Sequence, residues 1–114
     1  MQTMQRGGVL QVNITNIDIL QASYMPYVTG GGLFVPSAQA VSLGEDVFIL
    51  ATLPGQNQKI PLTGKVIWIN HAPTETKPQG FGIQLAGEKG RFYQEEAEKL
   101  LGNRLYSQAP SYTI

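Results

Sequence analysis

The chain has no cysteine, a single histidine, a single tryptophan and no excess of either charge, and each shortage removes a class of function. Without a thiol there is no disulfide framework, no thiolate metal site and no cysteine nucleophile, so packing alone must hold the core. Eight basic residues balance eight acidic ones. The broad positive field that carries most non-specific affinity for nucleic acid, or that holds an anionic membrane surface, is therefore missing. No run approaches the roughly twenty apolar residues of a membrane span. Met1-Gln2-Thr3-Met4-Gln5-Arg6-Gly7-Gly8 also lacks the basic-then-apolar order of a signal peptide. A cytoplasmic protein with no nucleic-acid partner and no membrane insertion is expected. His71 by itself assembles neither a catalytic triad nor a metal ligand set. Glu45 and Asp46 are neighbours on a strand and point to opposite faces. Glu95, Glu96 and Glu98 read as the solvated face of a helix, with Glu95 placed to pair with Lys99. No nucleophile, base and orienting group come together, so no catalytic residue, no metal and no cofactor are expected, and the chain reads as a non-enzyme.

What is present is strand-like. A length of 114 residues with 42% hydrophobic side chains suits one domain around one core. From Val9 to Leu20, Leu10, Val12 and Ile14 alternate with polar residues as a half-buried strand; Ile17 and Ile19 continue the alternation in the opposite parity, which predicts a bulge or bend near Thr15-Asn16. Leu33-Phe34-Val35, Asp46 to Leu53, Lys59 to Asn70 and Gly80 to Ala86 complete the strands, with Pro54-Gly55 turning a hairpin. In the long return strand, strict alternation puts Val66 and Trp68 on one face and Ile67 and Ile69 on the other. After Gly87 the period changes: Tyr93, Ala97, Leu100 and Leu101 mark the apolar stripe of a helix that Gly102-Asn103 stops. The reading is a mainly β domain, a small antiparallel barrel of about six strands with one C-terminal helix. A flexible segment at 1–8 precedes the domain at 9–106, and a loose tail at 107–114 follows it.

The stretch Gly30-Gly31-Gly32-Leu33-Phe34-Val35-Pro36 fits neither GxxxxGK[ST] nor GxGxxG, so it offers no phosphate cradle of those kinds. Taken in order with Gly64-Lys65-Val66-Ile67-Trp68 and Gly80-Phe81-Gly82-Ile83-Gln84-Leu85, it resembles the PilZ domain, the bacterial cyclic di-GMP receptor module. The resemblance runs from about Val9 to Leu101 and implies the small barrel with its closing helix. Nucleotide-binding members carry an RxxxR pair and a loop of the form [DN]-x-S-x-x-G, whose guanidinium groups and short polar side chains hold the guanine. Here the loop aligns with Tyr27-Val28-Thr29-Gly30-Gly31-Gly32. Gly32 keeps the closing glycine, Thr29 replaces the serine and Tyr27 replaces the acid or amide. The arginine pair is absent, since Arg6 is the only arginine before Arg91.

In these departures the chain resembles the short single-domain PilZ proteins of type IV pilus biogenesis, which are adaptors. The resemblance implies a role in twitching motility and two partners, the pilus extension ATPase and a degenerate EAL-domain protein that itself holds cyclic di-GMP. It also implies no direct binding of the nucleotide. The alternative is a cyclic di-GMP receptor that uses residues outside the usual signature. Candidate partner contacts follow from residue type. Trp68 is either a core residue or an exposed anchor in an aromatic patch with Tyr24 and Phe92. Phe92 and Tyr93 are adjacent on the helix, so one of them faces away from the barrel. Leu10, Val12 and Ile14 are core, or, at an open edge, a template for strand addition to a partner sheet.

Overall fold

The computed structural model describes residues 9–107 and 111–113, so the expected N-terminal segment at 1–8 lies outside the described residues. Six strands form one curled sheet, a half-barrel: β1 (Leu10–Val12), β2 (Tyr24–Met25), β3 (Gly32–Pro36), β4 (Asp46–Ala51), β5 (Ile60–Asn70) and β6 (Gly80–Ala86). Their order across the sheet is β1-β4-β5-β6-β3-β2. All neighbours are antiparallel except β1 and β4, which run parallel with Leu10 opposite Ile49. Two helices join the sheet, α1 (Ile17–Ser23) and α2 (Gly87–Leu101), and a 3-10 turn, Gly102–Arg104, follows α2.

The core lies between the concave face of the sheet and α2. Val12, Ile49, Leu62, Val66, Phe81, Ile83 and Leu33 point inward from the strands and meet Tyr93, Ala97 and Leu101 of α2. The hydroxyl of Tyr93 donates to the carbonyl of Thr52 at 2.9 Å, so burying the phenol leaves no donor unpaired. Gly90 lets α2 come down on β6, where an added Cβ would lie 3.2 Å from the Leu85 carbonyl carbon. Leu100, read as part of the apolar stripe, is exposed, and Gly90 takes its place in the buried set with Tyr93, Ala97 and Leu101. The expected Glu95 to Lys99 pair is replaced by Lys99 with Glu96 at 3.0 Å, one residue closer on the same helix.

Two readings of the sequence are corrected. The strand ends at Val12, and Ile17–Ser23 is a helix rather than a second alternating set. Asn16 is the cause: its side-chain oxygen accepts from the Ile19 N–H at 2.9 Å, an N-cap bond that starts the helix, and Asp18 follows in the first turn. The second correction concerns the tail. Described residues beyond Ser107 are not loose: Thr113 is buried, the Tyr112 N–H donates to the Ala22 carbonyl at 2.9 Å, and the Tyr112 ring lies 5.5 Å from that of Phe34.

Candidate functional site

The loop between β2 and β3 is built by glycines, and each has a structural task. Gly30 and Gly31 take φ of 81° and 87°, the left-handed region that a side chain disfavours, and so turn the chain back into the sheet. The Gly31 carbonyl then accepts from the Leu85 N–H at 3.0 Å, which ties the loop to β6. Gly32 is extended and serves by having no side chain. A Cβ there would lie 2.9 Å from the Met25 terminal methyl and 3.1 Å from the Ile83 carbonyl oxygen. The methyl of Met25 also reaches over Gly82, 2.7 Å from where a Cβ would stand. Gly32 and Gly82 thus form a trough that Met25 fills.

This trough belongs to the outer face of the sheet, opposite the main core. Phe34, Gly82 and Trp68 stand side by side across β3, β6 and β5 in one row. Trp68 reaches that row through a β-bulge: Val66 pairs with Ile83 and Trp68 with Gly82, which leaves Ile67 as the extra residue. The bulge reverses parity. Val66 stays in the core, whereas Trp68 turns outward and Ile69 turns in to pack against the core, so Val66 and Trp68 do not share a face. Trp68 is half-buried, its Cβ 3.2 Å from the Cβ that Gly82 lacks, and its indole N–H is shielded from solvent with no hydrogen-bond partner among the described residues. On the same outer face, Phe48 of β4 and Ile67 of β5 are exposed.

The proposed aromatic patch is not assembled. Tyr24 is 2% exposed on the concave side, opposite Leu33, and donates its hydroxyl to Glu98 Oε2 of α2 at 2.7 Å. Burial first, then the hydrogen bond to Glu98 and that carboxylate's charge, push the phenol well above its ordinary range. Phe92 is 44% exposed on α2 while its neighbour Tyr93 is fully buried, the division expected of adjacent helical residues. Trp68 therefore stands on one side of the sheet and Tyr24 with Phe92 on the other. Of the β1 set, Val12 and Ile14 are buried and Leu10 packs half-buried against the core; β1 forms one edge of the sheet.

In the loop itself, Tyr27 is 54% exposed and its hydroxyl shares a 2.6 Å hydrogen bond with that of Thr113. Thr29 is exposed, and its carbonyl accepts from Gln84 Nε2 at 2.8 Å. The three positions aligned above with the signature thus make contacts within the chain: Tyr27 to the tail, the Thr29 carbonyl to β6, Gly32 to Met25. His71 stands exposed just past the end of β5. Among the described residues no helix is long and apolar enough to cross a membrane, and no group of three acidic, histidine or cysteine side chains is placed to hold a metal.

Sequence reasoning missed the tail and its seat. Tyr112 was legible only as one aromatic in an aperiodic stretch, and Met25 as a neighbour of Pro26. No curated protein matches the chain in sequence. Residues 6–96 match the PilZ domain, a span that takes in β1 to β6, the β2–β3 loop and the first part of α2. The chain belongs to the PilZ domain family, whose members are binding modules with receptor or adaptor roles related to cyclic di-GMP.

Proposed function

We propose that this protein is a non-catalytic cytoplasmic adaptor of type IV pilus biogenesis and twitching motility, which docks on the pilus extension ATPase and on a degenerate EAL-domain protein without binding cyclic di-GMP itself. The observation that carries this reading is the use of the signature loop inside the fold. Tyr27 stands where a nucleotide-binding member has an acid or amide, and its hydroxyl is spent on Thr113. Gly32 makes room for Met25. With no RxxxR pair in the sequence, the paired bidentate contacts to guanine and phosphate that the signature supplies are missing.

The surface offered to a partner has two parts. On the outer face Trp68 is the anchor, flanked by exposed Ile67, a large and stiff apolar side chain of the type that dominates interfaces. On the helix side Phe92 is the corresponding exposed ring. Leu10, Val12 and Ile14 act through packing, and β1 adds an edge rather than side chains. The test is a pull-down with the purified extension ATPase, using Trp68→Ala and Phe92→Ala beside the wild type. Loss of roughly 2 kcal/mol or more, about 30-fold in affinity, is expected for the anchor. Full-strength binding by both folded variants removes these surfaces from the interface, and no binding by the wild type removes the ATPase as partner.

A further inference from the structure

Three residues of the tail tie four parts of the fold together. Ser111 offers its carbonyl to Lys77 Nζ at 2.8 Å, in the β5–β6 connection. Tyr112 donates its N–H to Ala22 of α1 and inclines its ring at 57° to Phe34 of β3. Thr113 is held by the Tyr27 hydroxyl of the β2–β3 loop and, through its N–H, by the hydroxyl of Ser111. None of these bonds belongs to a strand ladder or a helix, so breaking them disturbs no pairing in the sheet. Beneath the tail lies an apolar floor: Phe34 is fully buried on the outer face, and its ring tip would stand 2.7 Å from a Cβ at Gly80. Segments joined to the fold by a few bonds outside its cooperative ladders are the ones that open locally without global unfolding.

We propose that Ser111–Thr113 is a releasable strap over the outer face. Closed, it covers Phe34 and holds the Tyr27 hydroxyl. Open, it leaves an apolar slot floored by the ring of Phe34, while Tyr27 is freed. The strap thus couples the signature loop to the outer face: Tyr27 is bonded to the tail in one state and available to other groups in the second. This opening is a property of the chain alone and stands whichever partner binds.

Hydrogen exchange followed by nuclear magnetic resonance on the full-length chain tests it. The Tyr112 amide is expected to exchange several-fold more slowly than in an unstructured peptide, and at least about 100-fold faster than the ladder amides of β5 and β6. Its rate should not respond to low concentrations of denaturant. Exchange at the peptide rate would show that no closed state exists, and exchange in step with the ladder amides would show that the tail opens only with the whole domain; either overturns the strap. As a second measurement, Tyr112→Ala should raise the fluorescence of an apolar dye several-fold with the far-ultraviolet circular dichroism unchanged. An unchanged dye signal in that folded variant would show that no slot lies beneath the tail.

Discussion

A Cβ placed on Gly80 would lie 2.3 Å from the backbone carbonyl oxygen of Val35, the residue before its register partner Pro36 on β3, and neither strand can withdraw without breaking the β3–β6 ladder. Gly80→Ala is therefore expected to destabilise the fold by about 1–3 kcal/mol, the range for overpacking a fitted site, read as a lower midpoint in urea; an unchanged midpoint contradicts the packing described. At Gly82 the intruding atom would meet the flexible end of Met25 first, so Gly82→Ala should be the milder substitution. Trp68 shows why a residue's side of the sheet was not legible. Alternation from Val66 puts it inward, and only the pairing of Val66 with Ile83 and of Trp68 with Gly82 shows that Ile67 is an extra residue. A bulge is a relation between two strands, and one strand's letters do not contain it. Tyr24 escaped for a related reason: its partner Glu98 lies 74 positions away. Tyr24→Phe removes that bond and leaves a half-exposed carboxylate that water can still solvate, so a loss of about 1 kcal/mol is expected in denaturant titrations.

Among the elements, β3 to β6 and α2 were readable because each carries its own period and its own stops: the 2-residue alternation, Pro54-Gly55, and Gly102 at the end of α2 with φ of 48°. Helix α1 was not. Its seven residues include Ile17 and Ile19, which alternate like a strand, and the decisive signal was the Asn16 cap followed by Asp18. Asn16→Ala should cost roughly 0.5–2 kcal/mol and loosen α1, measurable as faster amide exchange at Ile19 and Leu20. Unchanged exchange there would mean that packing of Leu20, not the cap, holds the helix. The tail lies at the limit of what a sequence can tell, since its three described residues have no period and are tied to the fold by distant groups. Fixing their backbone costs about 1–2 kcal/mol per residue, and their hydrogen bonds return about 1 kcal/mol each with more for the charged one. The two sums nearly cancel. Removal of 108–114 is thus expected to shift the thermal midpoint by less than about 5 °C, equivalent to about 1 kcal/mol for a domain of this size. A larger fall would show that the tail is an integral part of the fold.

For the molecule as a whole, two buried phenols set the response to alkali. Burial raises Tyr93, and burial together with Glu98 raises Tyr24, so both stay protonated in the fold at a pH where the unfolded chain ionises. Their contribution is fully present below about pH 10, the ordinary tyrosine value, and is lost as the pH climbs above it. Denaturant midpoints should fall above pH 10, and Tyr24→Phe should flatten that fall; a flat profile in the wild type would mean that neither phenol is held neutral by the fold. The mainly β half-barrel and its closing helix were legible because they follow from local pattern and from a family-wide order of turns, whereas the sixth strand is Tyr24–Met25 and not the alternating Ile17 and Ile19. The site was legible only in outline: the missing arginines could be counted, but the internal use of Tyr27, Thr29 and Gly32 depends on Thr113, Gln84 and Met25, which only the fold brings to them. The central proposal is that the loop aligned with the PilZ signature serves this domain's own architecture and not the nucleotide. Isothermal calorimetry of the full-length protein with cyclic di-GMP tests it most directly. No saturable heat is predicted into the high micromolar range, because the arginine pair that would make several charge-assisted contacts, worth roughly 1.5–3 kcal/mol each, is absent; saturable binding at low micromolar concentration would contradict it.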